Sequence, residues 1–222
     1  MASIFTGRII LLDRHCYLYA LDDYRNTMVL KLYGFLPATC TRRAMIVCHG
    51  LGVPYELVNV DLRTGAHEDP EYRKKHPFGL VPYIDDDGFI LFESRAICRY
   101  FVRKYAKEGT KGLLHGDPRQ EALFEQAASI EAFNFDPDAV GICMEKIFKP
   151  LKGLPTNESR MLEHVDGLSS KMDAYDAMLG NQKYLAGENL TLADLFHVPY
   201  IAAVTRQGSV RSSRVDPMWR DE

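Results

Sequence analysis

The first part of the chain alternates short strand patterns with a helix pattern. Residues 29–33 and 55–60 alternate apolar and polar positions, which is the period of a strand with one buried face. Between them, residues 42–51 place apolar side chains on one helical face, and either Thr39 or Thr41 can cap that helix. The sequence therefore predicts a β-α-β unit at the start of the fold.

A hairpin and a second helix extend this unit. Residues 81–92 hold two apolar runs separated by Asp87-Gly88, a dipeptide typical of tight hairpin turns. Residues 94–105 repeat apolar side chains at helical spacing, and the polar stretch 64–76 predicts a loop or a short helix. With a right-handed crossover, the order β-α-β, loop, β-β-α predicts a thioredoxin-like α/β domain.

The rest of the chain is predicted to be helical. An Asp-Pro pair opens a helix at residues 117–118, and a second pair restarts it at residues 136–137. Residues 162–179 form a long amphipathic helix, and Thr191 with Asp194 forms a variant of the capping box before another. An α/β domain is therefore followed by an all-α domain.

These patterns divide the chain into five parts. The two ends fit the remainder poorly, and we expect each to be either loosely held or an artefact of the gene model. The predicted parts are an extension over residues 1–27, a thioredoxin-like domain over 28–105, a linker over 106–116, an all-helical domain over 117–204 and an irregular, truncated tail over 205–222.

Composition excludes several classes of protein. The 222 residues carry a formal net charge of −3, so no basic excess indicates nucleic acid binding. The longest stretch without Asp, Glu, Lys or Arg covers the 12 residues 44–55, too few to span a bilayer. Five scattered cysteines without a C-x-x-C pair suit a reducing compartment better than a disulfide scaffold or zinc site. We expect a cytoplasmic protein with no metal and no membrane partner.

Residues 76–97 carry the chemistry that the pattern suggests. Val81-Pro82 suggests a fixed X-Pro bond that can be cis, which would leave the Val81 backbone able to pair with an extended ligand. Glu93-Ser94 stands where a strand ends and a helix begins, and backbone N–H groups beside a hydroxyl form an anion site there. Extended pairing beside carboxylate capture indicates a small peptide as the ligand.

An ordered set of motifs resembles the cytosolic glutathione transferases, and among them the phi class with a fungal flavour. The set falls in family order between residues 28 and 204, which is far more specific than any single motif. The matching stretches are residues 30–34, 39–43, 78–82, 87–88, 92–97, 148–150, 183–187 and 190–195. The resemblance implies a thioredoxin-like N-terminal domain, an all-α C-terminal domain and glutathione as the co-substrate.

The resemblance also implies a function and a set of site residues. It implies a detoxifying homodimer that adds the glutathione thiolate to small apolar electrophiles. Val81 is expected to pair with the cysteinyl unit, Ser94 and Glu93 to hold the γ-glutamyl end, and His67 to lie near the glycine carboxylate. The implied glutathione-binding residues are His67, Leu80, Val81, Pro82, Glu93 and Ser94. The candidates for the electrophile site are Leu36, Pro37, Phe124 and Phe135, although apolar residues of this kind more often belong simply to the core.

One departure from the phi pattern concerns catalysis. Phi enzymes place a serine hydroxyl near the start of the first helix to stabilise the glutathione thiolate, and here that position is Ala38. Thr39 can take over the hydroxyl role, Cys40 can act as the nucleophile of a thiol transferase, or the protein binds glutathione and hydrophobic ligands without turnover. Leu80 and Glu68 stand where the family has Gln and Lys, and both are expected to weaken glutathione binding.

Overall fold

The computed structural model describes residues 30–107, 112–114 and 116–206, with side chains to residue 205. The predicted extension over residues 1–27 lies outside the described residues. So does the predicted tail, apart from its first two residues.

A four-stranded sheet forms the centre of the N-terminal half. Its strands are β1 (Leu30–Gly34), β2 (Tyr55–Asn59), β3 (Tyr83–Asp86) and β4 (Phe89–Phe92), in the spatial order β2-β1-β3-β4. β1 and β2 are parallel, whereas β3 is antiparallel to both β1 and β4. Asp87 and Gly88 both adopt positive φ, at 58° and 83°, as a tight hairpin turn requires. The predicted β-α-β, loop, β-β-α layout is confirmed.

Three helices and a 3₁₀ turn surround the sheet. They are α1 (Thr39–Leu51), the 3₁₀ turn Ala66–Glu68, α2 (Pro70–Lys75) and α3 (Ser94–Tyr105). The predicted threonine cap of α1 is wrong: the N-cap is Ala38, which makes no side-chain cap hydrogen bond. Thr41 instead accepts a hydrogen bond at Oγ1 from the N–H of Phe35, at 3.2 Å. Its hydroxyl therefore fastens the preceding loop to the helix.

The C-terminal half is helical, as predicted. Its elements are α4 (Pro118–Ile130), a π-helical turn (Glu131–Phe135), α5 (Asp136–Cys143), a second π-helical turn (Met144–Phe148), α6 (Lys149–Leu151), α7 (Glu158–Leu179) and α8 (Leu192–Arg206). An α-helix begins at Asp136-Pro137, as predicted, and the wider π-helical turn before it accommodates the proline ring, which would otherwise clash with the carbonyl four residues earlier. Helix α8 runs two residues past the predicted end at 204.

Both halves contribute to one hydrophobic core. Leu32 and Ile84 of the sheet and Phe101 of α3 share a buried cluster with Ile142 of α5 and Phe196 of α8. All five side chains are fully buried. Because side chains alternate across a sheet, the opposite face carries a smaller cluster. That cluster comprises Phe35, Ala38, Val60, Tyr72, Val81 and Tyr83.

The start of α8 is fixed by the predicted capping box. The carboxylate of Asp194 accepts hydrogen bonds from the Thr191 N–H at 2.8 Å and the Thr191 hydroxyl at 3.0 Å. It also accepts one from the Leu185 N–H at 2.9 Å. These bonds hold α8 against the rest of the core, and α8 carries residues that reach the site described next.

Candidate functional site

An unpaired stretch of backbone precedes strand β3. The Val81-Pro82 peptide bond is cis, which agrees with the sequence expectation. The pairing of β3 with β1 and β4 begins at Tyr83, so Val81 lies outside both ladders. Two side chains hold the segment from behind: the Cys40 thiol donates to the Val81 carbonyl oxygen at 2.9 Å, and the Tyr72 hydroxyl donates to the Leu80 carbonyl oxygen at 2.6 Å. The segment is thus held in place, although the Val81 backbone takes no part in the strand pairing of the sheet.

The N-terminus of α3 lies beside this segment. Tyr83 pairs with Phe92, so Val81 and Ser94 stand two residues beyond the same end of one ladder. Glu93 has φ 74° and ψ 106°, a left-handed conformation that non-glycine residues seldom adopt outside functional sites. Its carboxylate is exposed, whereas Ser94 is buried as the first residue of α3. The first N–H groups of the helix and the Ser94 hydroxyl together favour an anion.

The Ser94 hydroxyl is oriented by a buried arginine. Arg43 of α1 donates from Nη1 to Ser94 Oγ at 3.0 Å and from Nε to the Phe196 carbonyl oxygen at 3.2 Å. Its Nη2 contacts Glu131 at 3.0 Å and Asp136 at 3.1 Å. One guanidinium therefore connects the anion site to the π-helical turn and to α8. Sequence reasoning did not identify Arg43.

A second arginine completes a charge-balanced cluster. Arg95 contacts Glu131 at 2.6 Å and Asp136 at 2.7 Å, so two guanidinium groups face two carboxylates. Burial alone would lower the pKa of Arg95, but its hydrogen bonds and ion pairs with Glu131 and Asp136 raise that pKa instead. The pairing compensates for the cost of burying Arg43 and Glu131 and of partly burying Arg95 and Asp136. It leaves a rigid support behind Ser94.

The N-terminus of α1 contains the position where the family carries a serine. Ala38 has an extended backbone, with φ −74° and ψ 126°, and its methyl group is buried. Thr39 is also buried, and it lies close enough to the Tyr200 hydroxyl on α8 to counteract in part the rise that burial causes in the pKa of Tyr200. The side chain adjacent to Ala38 therefore lies near the helical half.

Cys40 has the character of a hydrogen-bond donor. Burial raises the pKa of its thiol, although the nearby Arg43 charge acts in the opposite direction. A raised pKa keeps the sulfur protonated, which agrees with the S–H bond to the Val81 carbonyl oxygen. This geometry does not favour a thiolate nucleophile at Cys40.

The far end of the segment contains His67 and an unpredicted arginine. His67 Nε2 lies 3.7 Å from the Glu68 carboxylate, and His67 Nδ1 is buried without a hydrogen-bond partner among the described residues. The Leu80 side chain is 56% exposed, so the residue exposes an apolar side chain rather than an amide. Arg73 of α2 places its guanidinium beside Gly79, on whose Cα the His67 carbonyl oxygen also closes in. No sequence motif distinguished Arg73 from its basic neighbours on α2.

The four electrophile-site candidates separate into two pairs. Leu36 is 38% exposed and Pro37 is half-buried, and both precede Ala38 on the loop that leads into α1. Phe124 and Phe135 are 1% and 4% exposed. The Phe135 ring packs against His197 at 4.6 Å between centroids, and Arg99 lies over the Phe124 ring at 5.1 Å. The structure thus places both phenylalanines in the core.

Residues 30–107, 112–114 and 116–206, which the structure describes, contain neither a candidate membrane span nor a candidate metal site. None of the helices in these ranges has the length and apolar character needed to cross a membrane. Among the same residues, no group of three or more histidine, cysteine, aspartate or glutamate side chains could hold a metal ion.

The chain matches known proteins along most of its length. The models of the glutathione S-transferase N-terminal and C-terminal domains match residues 28–103 and 140–213. Glutathione S-transferase PM239X14 of Arabidopsis thaliana is 46% identical over 181 residues, which is 81% of this chain and 83% of that protein. Glutathione S-transferase hmp2 of Hypomyces subiculosus is 40% identical over 183 residues, covering 82% and 85%.

Solved structures agree with the sequence relatives. The crystal structure of glutathione transferase F7 from Populus trichocarpa superimposes with a TM-score of 0.80 at 34% identity, over 87% of this chain and 92% of that one. The thioredoxin-like sheet, the helical second half and the matched relatives lead to the same assignment. The chain belongs to the glutathione S-transferase family, with relatives in its phi class, and the co-substrate of that family is glutathione.

Proposed function

We propose that this protein conjugates the glutathione thiolate to small apolar electrophiles. The observation that carries the proposal is the adjacency of two features at one end of the β3–β4 ladder. One is the fixed backbone of Val81, outside the sheet pairing, and the other is the buried Ser94 hydroxyl held by Arg43. An extended peptide with a terminal carboxylate fits both at once.

The proposed arrangement of glutathione follows from these groups. The cysteinyl unit pairs with the Val81 backbone beside Pro82, and the γ-glutamyl carboxylate binds Ser94 and the N-terminus of α3. The exposed Glu93 carboxylate takes the γ-glutamyl ammonium, a charge-assisted contact. The tripeptide then extends past Leu80 toward His67. Arg43 does not touch the ligand. Because Arg43 donates a hydrogen bond to Ser94 Oγ, the hydroxyl proton of Ser94 remains free for donation to the ligand.

We further propose that the conjugation is slow. An ordinary thiol has a pKa of about 8.5, so a neutral site leaves only a few per cent of glutathione as thiolate at pH 7. The N-terminus of α1 supplies a favourable dipole, but the methyl side chain of Ala38 cannot donate a hydrogen bond to the sulfur. A hydrogen bond to a charged group contributes about 1.5–3 kcal/mol, so its absence lowers the rate by roughly ten- to a hundredfold.

Thr39 gives limited assistance under this proposal. Its side chain is buried and lies near Tyr200 of α8, so little of it is accessible to a ligand. Cys40 acts as a support for Val81 rather than as a nucleophile, because its thiol is protonated and donates to the carbonyl. Leu36 and Pro37 border the electrophile site, since they are accessible and adjoin Ala38.

We also propose a cytoplasmic homodimer. Phe78 and Phe133 are 68% and 76% exposed, unusually high values for large apolar side chains. A second copy of the chain would cover such side chains. The described cysteines Cys40, Cys48, Cys98 and Cys143 are all thiols, which supports a reducing compartment. The boundaries at residues 105 and 117 remain a proposal for the division into domains.

A turnover assay tests the proposed function. The purified protein, with folding verified by circular dichroism, is incubated with glutathione and a chlorodinitroarene, and glutathione binding is measured separately by calorimetry. We expect saturable binding and a conjugation rate above the solution background. Binding with no rate above background would support a non-catalytic binding module, and the absence of both would contradict the proposal.

A further inference from the structure

The guanidinium of Arg73 meets the turn that precedes the binding segment. Gly79 has φ +60°, and a methyl group at its Cα would lie 3.2 Å from both Cζ and Nη2 of Arg73. The same methyl group would lie 3.0 Å from the His67 carbonyl oxygen. The absence of a side chain at Gly79 thus lets Arg73, His67 and the turn come together at one point.

The charge of Arg73 is available at that point. Its side chain is exposed and forms no ion pair or hydrogen bond with any other residue that has described coordinates. Its neighbour Lys74 is instead paired with Glu71 at 2.5 Å. The adjacent His67 has a buried Nδ1 atom with no partner among the described residues. The guanidinium of Arg73 and the backbone of His67 therefore meet at the Gly79 turn, and among the described residues each has a nitrogen-bearing side chain with unused hydrogen-bonding capacity.

A glutathione molecule bound along Val81 needs a cation on this side. Its γ-glutamyl carboxylate is directed toward Ser94, so its glycine carboxylate is directed past Leu80 toward Gly79 and His67. Leu80 offers only an apolar side chain, and the Glu68 carboxylate, 3.7 Å from His67, would repel an anion. Without a further positive group, this end of the site would disfavour the ligand.

We propose that Arg73 binds the glycine carboxylate of glutathione and offsets the negative charge of Glu68. This inference rests on the proposed function, because it takes glutathione as the ligand. A guanidinium can donate two parallel hydrogen bonds to one carboxylate, which a lysine cannot. Arg73 is thus a specificity-determining residue that distinguishes a charged from a neutral third residue in the ligand.

A comparison of two ligands isolates this contact. Calorimetry measures the Kd of glutathione and of its glycine ethyl ester, which has the same peptide backbone but no charge at that end. The two ligands are compared in the wild-type protein, in Arg73→Gln and in Lys75→Gln. Lys75 is a matched control because it is exposed, lies on the same helix and changes the net charge by the same amount.

We expect the wild type and Lys75→Gln to bind glutathione about tenfold more tightly than the ester. In Arg73→Gln, the two Kd values should agree within about twofold, with glutathione weakened and the ester unchanged. Full discrimination in Arg73→Gln would overturn the inference, as would an equal loss in Lys75→Gln. Failure of the folded wild type to bind either ligand would instead overturn the proposed function, and the inference with it.

Discussion

The Nη1 atom of Arg43 lies 3.0 Å from the Oγ atom of Ser94, and both side chains are buried. Arg43 belongs to the first helix, and the hydroxyl it orients begins the third helix. The other nitrogens of the same guanidinium reach Glu131, Asp136 and the Phe196 carbonyl oxygen. The γ-glutamyl end of the site is therefore coupled to the helical half through a single side chain.

Replacing Arg43 by Met should weaken both the fold and the binding of glutathione. Removal of one partner from a buried ion-pair cluster costs about 3–5 kcal/mol, because the carboxylates that remain lose one of the positive charges that balance them. The Ser94 hydroxyl also becomes free to rotate. We expect a lower free energy of unfolding in urea and a higher KM for glutathione, with a smaller change in the KM of the electrophile.

Arg103→Met is the control for that substitution. Arg103 is 65% exposed and pairs with Glu121 at 3.3 Å, and pairs of this kind contribute about 0–1 kcal/mol. Arg43→Lys adds a second test, since one ammonium cannot serve all four partners while it keeps the charge. A normal glutathione KM in stable Arg43→Lys protein would show that Ser94 needs no orientation by the guanidinium.

Replacing Cys40 by Ser should leave conjugation nearly intact. A serine hydroxyl retains the donor to the Val81 carbonyl oxygen, although its shorter bond lengthens the contact. We expect kcat/KM to stay within about threefold of the wild type, because only part of one weak hydrogen bond is lost. Mixed-disulfide exchange with glutathione is the complementary measurement. A thiol-transfer activity that disappears in Cys40→Ser would show that the thiol is a nucleophile after all.

Stability should depend on pH through His197. This histidine is fully buried, donates from Nδ1 to the Ala193 carbonyl oxygen and pairs through Nε2 with the Tyr175 hydroxyl. Burial lowers its pKa to about 4. Between pH 4 and 6.5 the unfolded chain binds a proton that the folded chain does not. The free energy of unfolding therefore rises with pH across this window, by roughly 3 kcal/mol from this group.

Urea unfolding at several pH values between 4 and 7 measures that contribution. His197→Gln keeps hydrogen-bonding groups but does not titrate, so its free energy of unfolding should rise less steeply over the window. Between pH 4 and 7, the free energy of unfolding should rise by about 2–3 kcal/mol more in the wild type than in the variant. Parallel curves would mean that His197 takes up no proton on unfolding, or that it is already charged in the folded protein.

The sequence predicted the parts of the site that depend on local pattern. The Asp87-Gly88 hairpin and the boundary of α3 fix where Val81 and Ser94 lie, and both follow from turn chemistry and helical spacing. The cap of α1 could not be predicted in the same way. Both Thr39 and Thr41 satisfy the rule for a cap, yet the helix begins at Thr39 with Ala38 as its N-cap, and the Thr41 hydroxyl accepts from the Phe35 N–H instead.

The two arginines that support the site were not predictable from pattern. Arg43 lies next to Arg42, and nothing local indicates which one is buried. Its carboxylate partners Glu131 and Asp136 lie 88 and 93 positions further along the chain. Arg73 stands in a basic run on a short helix, where a solvated surface is the usual interpretation. Only the approach of Gly79 and His67 distinguishes it.

The central claim is that the glutathione-binding half of the site is largely intact, apart from Leu80 and Glu68, and that the sulfur-activating half lacks only a hydroxyl at Ala38. The most direct test is kcat/KM of Ala38→Ser with glutathione and a chlorodinitroarene, together with the glutathione Kd. Ala174→Ser, on an exposed face of α7, is the control. We predict that kcat/KM rises by about ten- to a hundredfold in Ala38→Ser alone, while the Kd changes by less than about threefold. An unchanged kcat/KM in a folded variant that binds glutathione would contradict the claim.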